Sequence, residues 1–267
     1  MPATPPSTPV RARSQTVERA SRLLGCFTSE EPTQGLPALA AKLGLNQSTV
    51  FRYVASLQRT GLLARDERRG GYSLGLRLVE LAGIALNQIE VRKQALDEMD
   101  KLRDEVGLLV NLAVLVDGDV LHLAHSAPRD VPRMYTALGR RAVSHCTALG
   151  KVLLAHRPWD EVRQSIARFG WRRYTENSFR DFGKLRTELH EIRERGYGVD
   201  REERRRDVVC VAAPIRDHSG SVVAALSLSG RKAKMAPERR QQLVPRLLEG
   251  ANRISFRMGF HANAAYL

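Results

Sequence analysis

The chain has 267 residues, 43% hydrophobic and 27% charged, the balance of a soluble globular protein long enough for two moderate domains with cores of their own. A formal net charge of +14 points to a polyanionic partner, and no apolar run approaches the roughly 20 residues needed to cross a bilayer, which excludes an integral helical membrane protein. The three cysteines, Cys26, Cys146 and Cys210, are widely separated, with no C-x-x-C pair and no matching histidine spacing, so neither a disulfide framework nor a metal site is expected.

Residues 1–13 carry four prolines and no apolar h-region and read as a disordered leader, not a secretion signal; a cytoplasmic location follows by default. Ser14 or Thr16 can cap a first helix in which Val17, Ala20, Leu24 and Phe27 recur at spacings of three and four. Residues 36–60 then give two short amphipathic helices. Leu39, Ala40 and Leu43 share a face of one; Val50, Tyr53, Val54 and Leu57 form a stripe on the other. Between them Gly44 supplies a left-handed helix end, Leu45 plugs the turn and Asn46 can cap the next helix. With that core assigned, Gln47, Ser48, Thr49, Arg52, Ser56 and Arg59 point outward, side chains able to reach base edges or phosphates in a DNA groove.

Directly behind, Leu62 to Arg65 and Tyr72 to Leu74 read as a β-hairpin closed through Gly70 and Gly71, a wing whose Arg65, Arg68 and Arg69 can hold phosphates. A solvated turn is the plainer alternative. Residues 14–75 thus form a winged helix-turn-helix domain. In residues 76–90, Val79, Ala82, Leu86 and Ile89 make one apolar stripe and Leu78, Leu81 and Ala85 another. Two such faces require two packing partners, the chain's own domain and the same helix of a second subunit, which would set paired reading heads on a two-fold axis as DNA half-sites demand.

Residues 91–260 read as an α+β domain, an antiparallel sheet with helices beside it. Val91 to Gly107 is a helix rich in charged pairs, followed by two strands joined across Asp117 and Gly118. His145 to His156, Glu161 to Phe169 and Phe182 to Arg195 are helices, and Val208 to Ile215 with Val222 to Ser229 a second hairpin. Pro237 opens a last helix whose Leu247, Ala251, Ile254 and Met258 face a core, with a kink expected at Pro245; residues 261–267 are a tail. Residues 1–90 hold 11 Lys+Arg and 7 Asp+Glu, a net of +4, so the remaining 32 minus 22 leaves +10 outside the reading head. Arg201, Arg204, Arg205 and Arg206 form the densest basic block, either a solvated loop or a DNA contact.

From Ser14 almost to the C-terminus the chain resembles the IclR family of bacterial transcription regulators. The resemblance rests on SQTVERASRLLGCF, GLNQSTVFRYVASLQRTGLL, YSLGLRLVELA, HCTALGKVLLA, GYGVDREE and VVCVAAPIRDHSGSVVAALSLSG, in that order. It implies a dimerising linker helix, a GAF-like effector-binding domain, assembly as a dimer or dimer of dimers, and a small organic effector, often a carboxylate or aromatic acid, that alters DNA binding or polymerase contact. It further implies a pocket lined by Val131, Met134, Ala148, Leu149, Asp200, Cys210, Ser227 and Ser229. The chemistry is sound without the family: free amides at the start of the helix holding Ala148 favour an anion, Ser227 and Ser229 share a strand face, and Asp200 can accept from a ligand hydroxyl. Cys210 and Met134 also suit plain core positions, and strand serines can simply bond backbone. RRAVSHC departs from the family pattern, which has a proline ahead of the histidine. Arg129, Arg133, Arg140 and Arg141 crowd the pocket loop and point to an anionic ligand, with a merely solvated charge cluster as the alternative.

Two other readings compete. A hydrolase would use Cys210 as nucleophile with His145 or His122 as base and Asp200 as orienter, but VVCVAAPI sets that thiol in an apolar strand where it stays protonated. An adaptor would use the winged helix to bind protein, although the Gln47, Ser48, Thr49 and Arg52 face with its arginine wing suits a groove better. No enzyme activity, cofactor or metal is expected.

Overall fold

The computed structural model describes residues 14–129 and 138–261, and its internal contacts divide the chain into two units, Met1–Ala85 and Leu86–Leu267. The first contains α1 (Gln15–Leu24), β1 (Thr33–Gln34), α2 (Leu36–Leu43), α3 (Gln47–Arg59), β2 (Leu63–Asp66) and β3 (Gly71–Leu74). Leu39, Ala40 and Leu43 of α2 meet Val50, Val54 and Leu57 of α3 in one core with Leu23, Leu63 and Tyr72. Of the stripe expected in α1, Ala20, Leu24 and Phe27 pack against this core and Val17 does not. Val17 is 67% exposed, and Leu23, outside the expected stripe, is the residue fully buried. Ser14 sits at the cap position without a side-chain cap bond.

The turn between α2 and α3 forms as its residues require. Gly44 takes φ 65°, and the amides of Gly44 and Leu45 bond the carbonyls of Ala41 (3.3 Å) and Ala40 (3.1 Å). Asn46 Oδ1 then accepts from the Thr49 amide at 2.8 Å, satisfying an amide that α3 cannot. β2 and β3 pair in antiparallel register, Leu63 against Leu74 through Asp66 against Gly71, and β1, too short to show in the sequence, adds a third strand on β3.

Helix α4 (Arg77–Asn87) crosses the division between the units and buries none of its residues, with Val79 66%, Leu81 43% and Ile84 59% exposed and Leu76, just before it, 81%. Of the stripe expected to pack on the chain's own domain, Ile89 lies against the core of the second unit, while the residues of α4 itself stay exposed or half-buried.

The second unit continues with α5 (Glu90–Val106), β4 (Leu109–Val116), β5 (Asp119–Ser126), β6 (Arg141–Ala142), α6 (Ala148–Ala155), α7 (Trp159–Phe169), α8 (Phe182–Arg195), β7 (Gly198–Arg201), β8 (Val208–Arg216), β9 (Val222–Arg231) and α9 (Pro237–Arg257). Six strands form one antiparallel sheet in the order β6-β5-β4-β9-β8-β7. Both faces are covered. Val110, Leu112, Val209, Val211, Ala213, Ile215, Leu226 and Leu228 pack under α5 and α9, while Ala113, Ala212 and Ala225 lie under α6, α7 and α8. The β4-β5 turn places Asp117 (φ 54°) and Gly118 (φ 87°) in the left-handed region, the geometry of a two-residue hairpin. Helix α9 runs on through Pro245 to Arg257, and α6 starts at Ala148, later than its apolar run suggests, because Thr147 caps it.

Candidate DNA-reading face and effector face

On α3 the apolar side is spent in the core, and the opposite side carries Gln47, Ser48, Arg52, Ser56 and Arg59, all exposed, with Thr49 half-buried beside them. The Ser48 hydroxyl donates to Asn46 Oδ1 at 3.0 Å, so the cap also fixes a residue of that face. Arg68 and Arg69 stand exposed at the wing tip, where Asp66 Oδ1 accepts from the Arg69 amide at 3.1 Å and sets the turn. Arg65 is more committed than its neighbours: its Nη1 donates to the Tyr72 hydroxyl at 3.1 Å and its guanidinium lies 5.3 Å from that ring centroid. Sequence reasoning passed over Phe51, which is 53% exposed on the same helix. Its signal was available, since it falls outside the Val50, Val54, Leu57 stripe.

In the second unit strand periodicity gathers the effector candidates. Odd and even residues of β8 and β9 separate to opposite faces, which puts Cys210, Ser227 and Ser229 on the side of α6, together with Asn111 of β4. Across the sheet Asp200 pairs with Cys210, Cys210 with Ser229, and Asn111 with Ser227. Asn111, hidden in an apolar run of the sequence, donates from Nδ2 to Ser227 Oγ (3.4 Å) and to Ser229 Oγ (3.2 Å). Asp200 and Ser227 are buried, whereas Cys210 and Ser229 are half-buried. At the start of α6, Ala148 and Leu149 are buried, and Thr147 Oγ1 accepts from the Gly150 amide at 3.1 Å. Gly150 is required there, because a Cβ would stand 2.3 Å from the Ser144 backbone. Val131, Met134 and Arg133 lie outside the described residues.

Behind this face sits a charge network that the sequence does not betray. Lys151 is fully buried; its Nζ donates to Val199 O (2.7 Å), Glu203 Oε1 (2.6 Å) and Glu188 Oε1 (3.3 Å), and lies 4.9 Å from the Phe179 ring centroid. Arg195 closes the network on Glu188 at 2.8 Å. Glu203 in turn donates its amide to Asp200 Oδ1 at 2.7 Å, and its Oε2 is buried without a partner. Burial, reinforced by the nearby Glu203 charge, pushes the Asp200 carboxyl up to about 7. Burial likewise pushes the Cys210 thiol up, with Asp200 adding to the effect.

The hydrolase grouping does not assemble among the described residues. Asp200 and Cys210 are neighbours across strands, but His145 packs edge-on to Trp171 at 5.3 Å with its Nε2 3.4 Å from Arg172 O, and no hydrogen bond joins either histidine to Cys210. The basic block is a structured loop: Arg204 stacks on Tyr174 at 3.6 Å and Arg206 pairs with Glu176 at 2.9 Å. Two surface grooves, of about 260 and 90 Å³, adjoin Leu154 and Arg157 and are lined by none of the effector candidates. No group of histidines, cysteines and carboxylates among the described residues could hold a metal ion, and none of their helices is long and apolar enough to cross a membrane.

A winged helix-turn-helix with an uncommitted polar face, carried in one chain with a sheet domain that collects polar groups on the side of helix α6, defines a DNA-binding transcriptional regulator with a separate effector-binding domain. The family model of the IclR helix-turn-helix domain matches residues 16–67, and that of the bacterial transcriptional regulator IclR C-terminal matches residues 83–256. The chain belongs to the IclR family of bacterial transcriptional regulators. It is 33% identical over 232 residues to the HTH-type transcriptional regulator KdgR of Escherichia coli (strain K12), covering 87% of this chain and 88% of that one. The crystal structure of Thermotoga maritima IclR superposes with a TM-score of 0.73 at 27% identity, covering 92% of this chain and 99% of that one. An IclR homologue from Microbacterium hydrocarbonoxydans complexed with 4-hydroxybenzoate gives 0.79 at 27% identity, over 91% and 99% of the two chains.

Proposed function

We propose that the protein reads an operator as a dimer or dimer of dimers and that a small organic acid, held against the α6 side of the sheet, alters that binding. In this reading residues 14–75 are the reading head, 76–90 the dimerising linker and 91–260 the effector domain, working in the cytoplasm where the chromosome lies. The observation that carries it is the segregation of α3: Val50, Val54 and Leu57 are buried while Gln47, Ser48, Arg52, Ser56 and Arg59 are exposed. A helix so divided, followed by a wing bearing Arg65, Arg68 and Arg69, fits base edges with one set of residues and phosphates with the other. The uncovered Leu76, Val79, Leu81 and Ile84 support self-association, since an apolar stripe of this kind needs a cover and a second copy of the same helix supplies one on a two-fold axis.

Three features support an acid as effector. Because the Ser227 oxygen accepts from Asn111, its hydroxyl hydrogen can donate to a ligand, while the Ser229 hydroxyl also faces the Cys210 thiol. The amides of Ala148 and Leu149 open the N-terminus of α6, which favours negative charge. Asp200 opposes an anion less than an ordinary carboxylate would, because a carboxyl pushed up to about 7 is only partly ionised near neutral pH and its protonated form can donate. The Microbacterium homologue's 4-hydroxybenzoate belongs to the same chemical class.

Thermal unfolding against a panel of small acids, 4-hydroxybenzoate among them, tests the effector half. A ligand of the native state at a hundredfold excess over its Kd adds about 2.7 kcal/mol and raises the midpoint. Ser229→Ala should weaken that response. No shift anywhere in the panel, with Ser229→Ala behaving as wild type, would count against the site.

A further inference from the structure

We infer that Phe51 is a sequence-reading residue of the recognition helix and that it reads the 5-methyl group of thymine. The inference rests on α3 being the groove-binding helix. Phe51 exposes 53% of its surface and takes no part in the core to which its neighbours Val50 and Val54 belong. It stands one helical turn from Gln47 on one side and from Ala55 on the other, and about 60° around the axis from Ser48. Those three residues are exposed as well. A large apolar ring left in water on a helix whose other outward residues are polar or small has no folding role to explain it.

What it can recognise follows from the groove. A phenyl ring has no donor or acceptor for phosphates or for the polar edges of guanine, cytosine and adenine. The thymine methyl is the one apolar group a B-form major groove presents, and phenylalanine is among the side chains that contact it. Ala55 beside Phe51 leaves the room that such an approach needs, and Gln47 can bond an adjacent base edge while the ring covers the methyl. A protein partner covering Phe51 would have to cover Gln47 and Ser48 too, and so displace DNA.

The test starts from a random pool of duplexes, from which the full-length protein selects its own binding sequence. The selected duplex is then prepared in thymine and in uracil form, which differ only by the methyl groups. Wild type should bind the uracil duplex about fourfold more weakly for each methyl covered by Phe51, the equivalent of about 0.8 kcal/mol. Phe51→Ala should lose that discrimination, and Phe51→Leu should keep part of it. The thermal midpoints of both variants should match wild type, because the side chain is outside the core. Equal discrimination by wild type and Phe51→Ala would overturn the proposal, as would indifference of wild type to the methyl. Failure of wild type to select any duplex would instead remove the groove-binding reading itself.

Discussion

The two units handle polar groups in opposite ways. On α3, Arg52 and Arg59 stand in water with the whole apolar side of the helix turned inward, so the polar face takes no part in holding the unit together. In the sheet domain, Lys151, Asp200, Glu203, Asn111 and Ser227 are all buried, and each is tied to another by a hydrogen bond. On the proposed function, a macromolecular partner is met on an open surface, where a side chain can change without loss of fold, and a small ligand against the core, where recognition and stability share atoms. Mutations on the first face should therefore cost binding alone, and mutations on the second should cost folding as well.

The sharpest break of that comparison is Lys151→Met. It leaves Glu203 buried without its cation and Glu188 with Arg195 alone, and loss of one partner of such a network costs about 3–5 kcal/mol. Urea unfolding should show it as a drop in the midpoint of the sheet domain; a change below about 1 kcal/mol would mean that the network is loose or wet.

The Asp200→Asn variant separates charge from packing. A buried carboxyl whose folded pKa is raised, here from 3.8 to about 7, binds more protons folded than unfolded across that window, so its contribution to stability falls as pH rises from about 4 to 7 and then stays flat. The variant should thus gain on wild type by at most about 4 kcal/mol between about pH 4 and pH 8. A variant-minus-wild-type difference that is flat with pH would place the titration elsewhere.

Effects on the open face are smaller and leave stability untouched. Arg52→Ala should weaken binding by about 1–3 kcal/mol and relax discrimination at one base step, whereas Arg69→Ala should lower affinity for every sequence and reduce the salt slope by about one. Identical behaviour of the two would erase the division between reading and anchoring. Asn46→Ala is the exception on this side, because the cap is structural: it should cost about 1 kcal/mol of stability and loosen the start of α3.

How much of this was legible in the sequence follows from the same contrast. The turn at Gly44 and Asn46 and the Val50, Val54, Leu57 stripe could be read because a one-sided helix writes its burial as a period. Ser227 and Ser229 could be placed on one face by strand alternation, whereas Cys210, on the neighbouring strand, followed only from the family resemblance. Lys151 could not, since an eight-residue helix buried along its whole length, with a lysine inside it, has no polar side to mark its orientation. Asn111 lay within an apolar run for the same reason. β1 and β6 are two residues each, shorter than any pattern. Helix α4 shows the opposite failure: its apolar stripes were visible, but whether another part of the same chain covers them is not a local property.

The measurement that bears most directly on the central claim is binding of a fluorescent operator duplex at about physiological ionic strength by wild type and Arg52→Ala, with unfolding curves taken on the same samples. Wild type should bind with clear sequence preference, and Arg52→Ala should lose affinity while its unfolding curve stays superimposed on that of wild type. Absence of sequence-specific binding by wild type, or a loss in Arg52→Ala matched by a loss of stability, would contradict the view that this face is free of the fold and reserved for DNA.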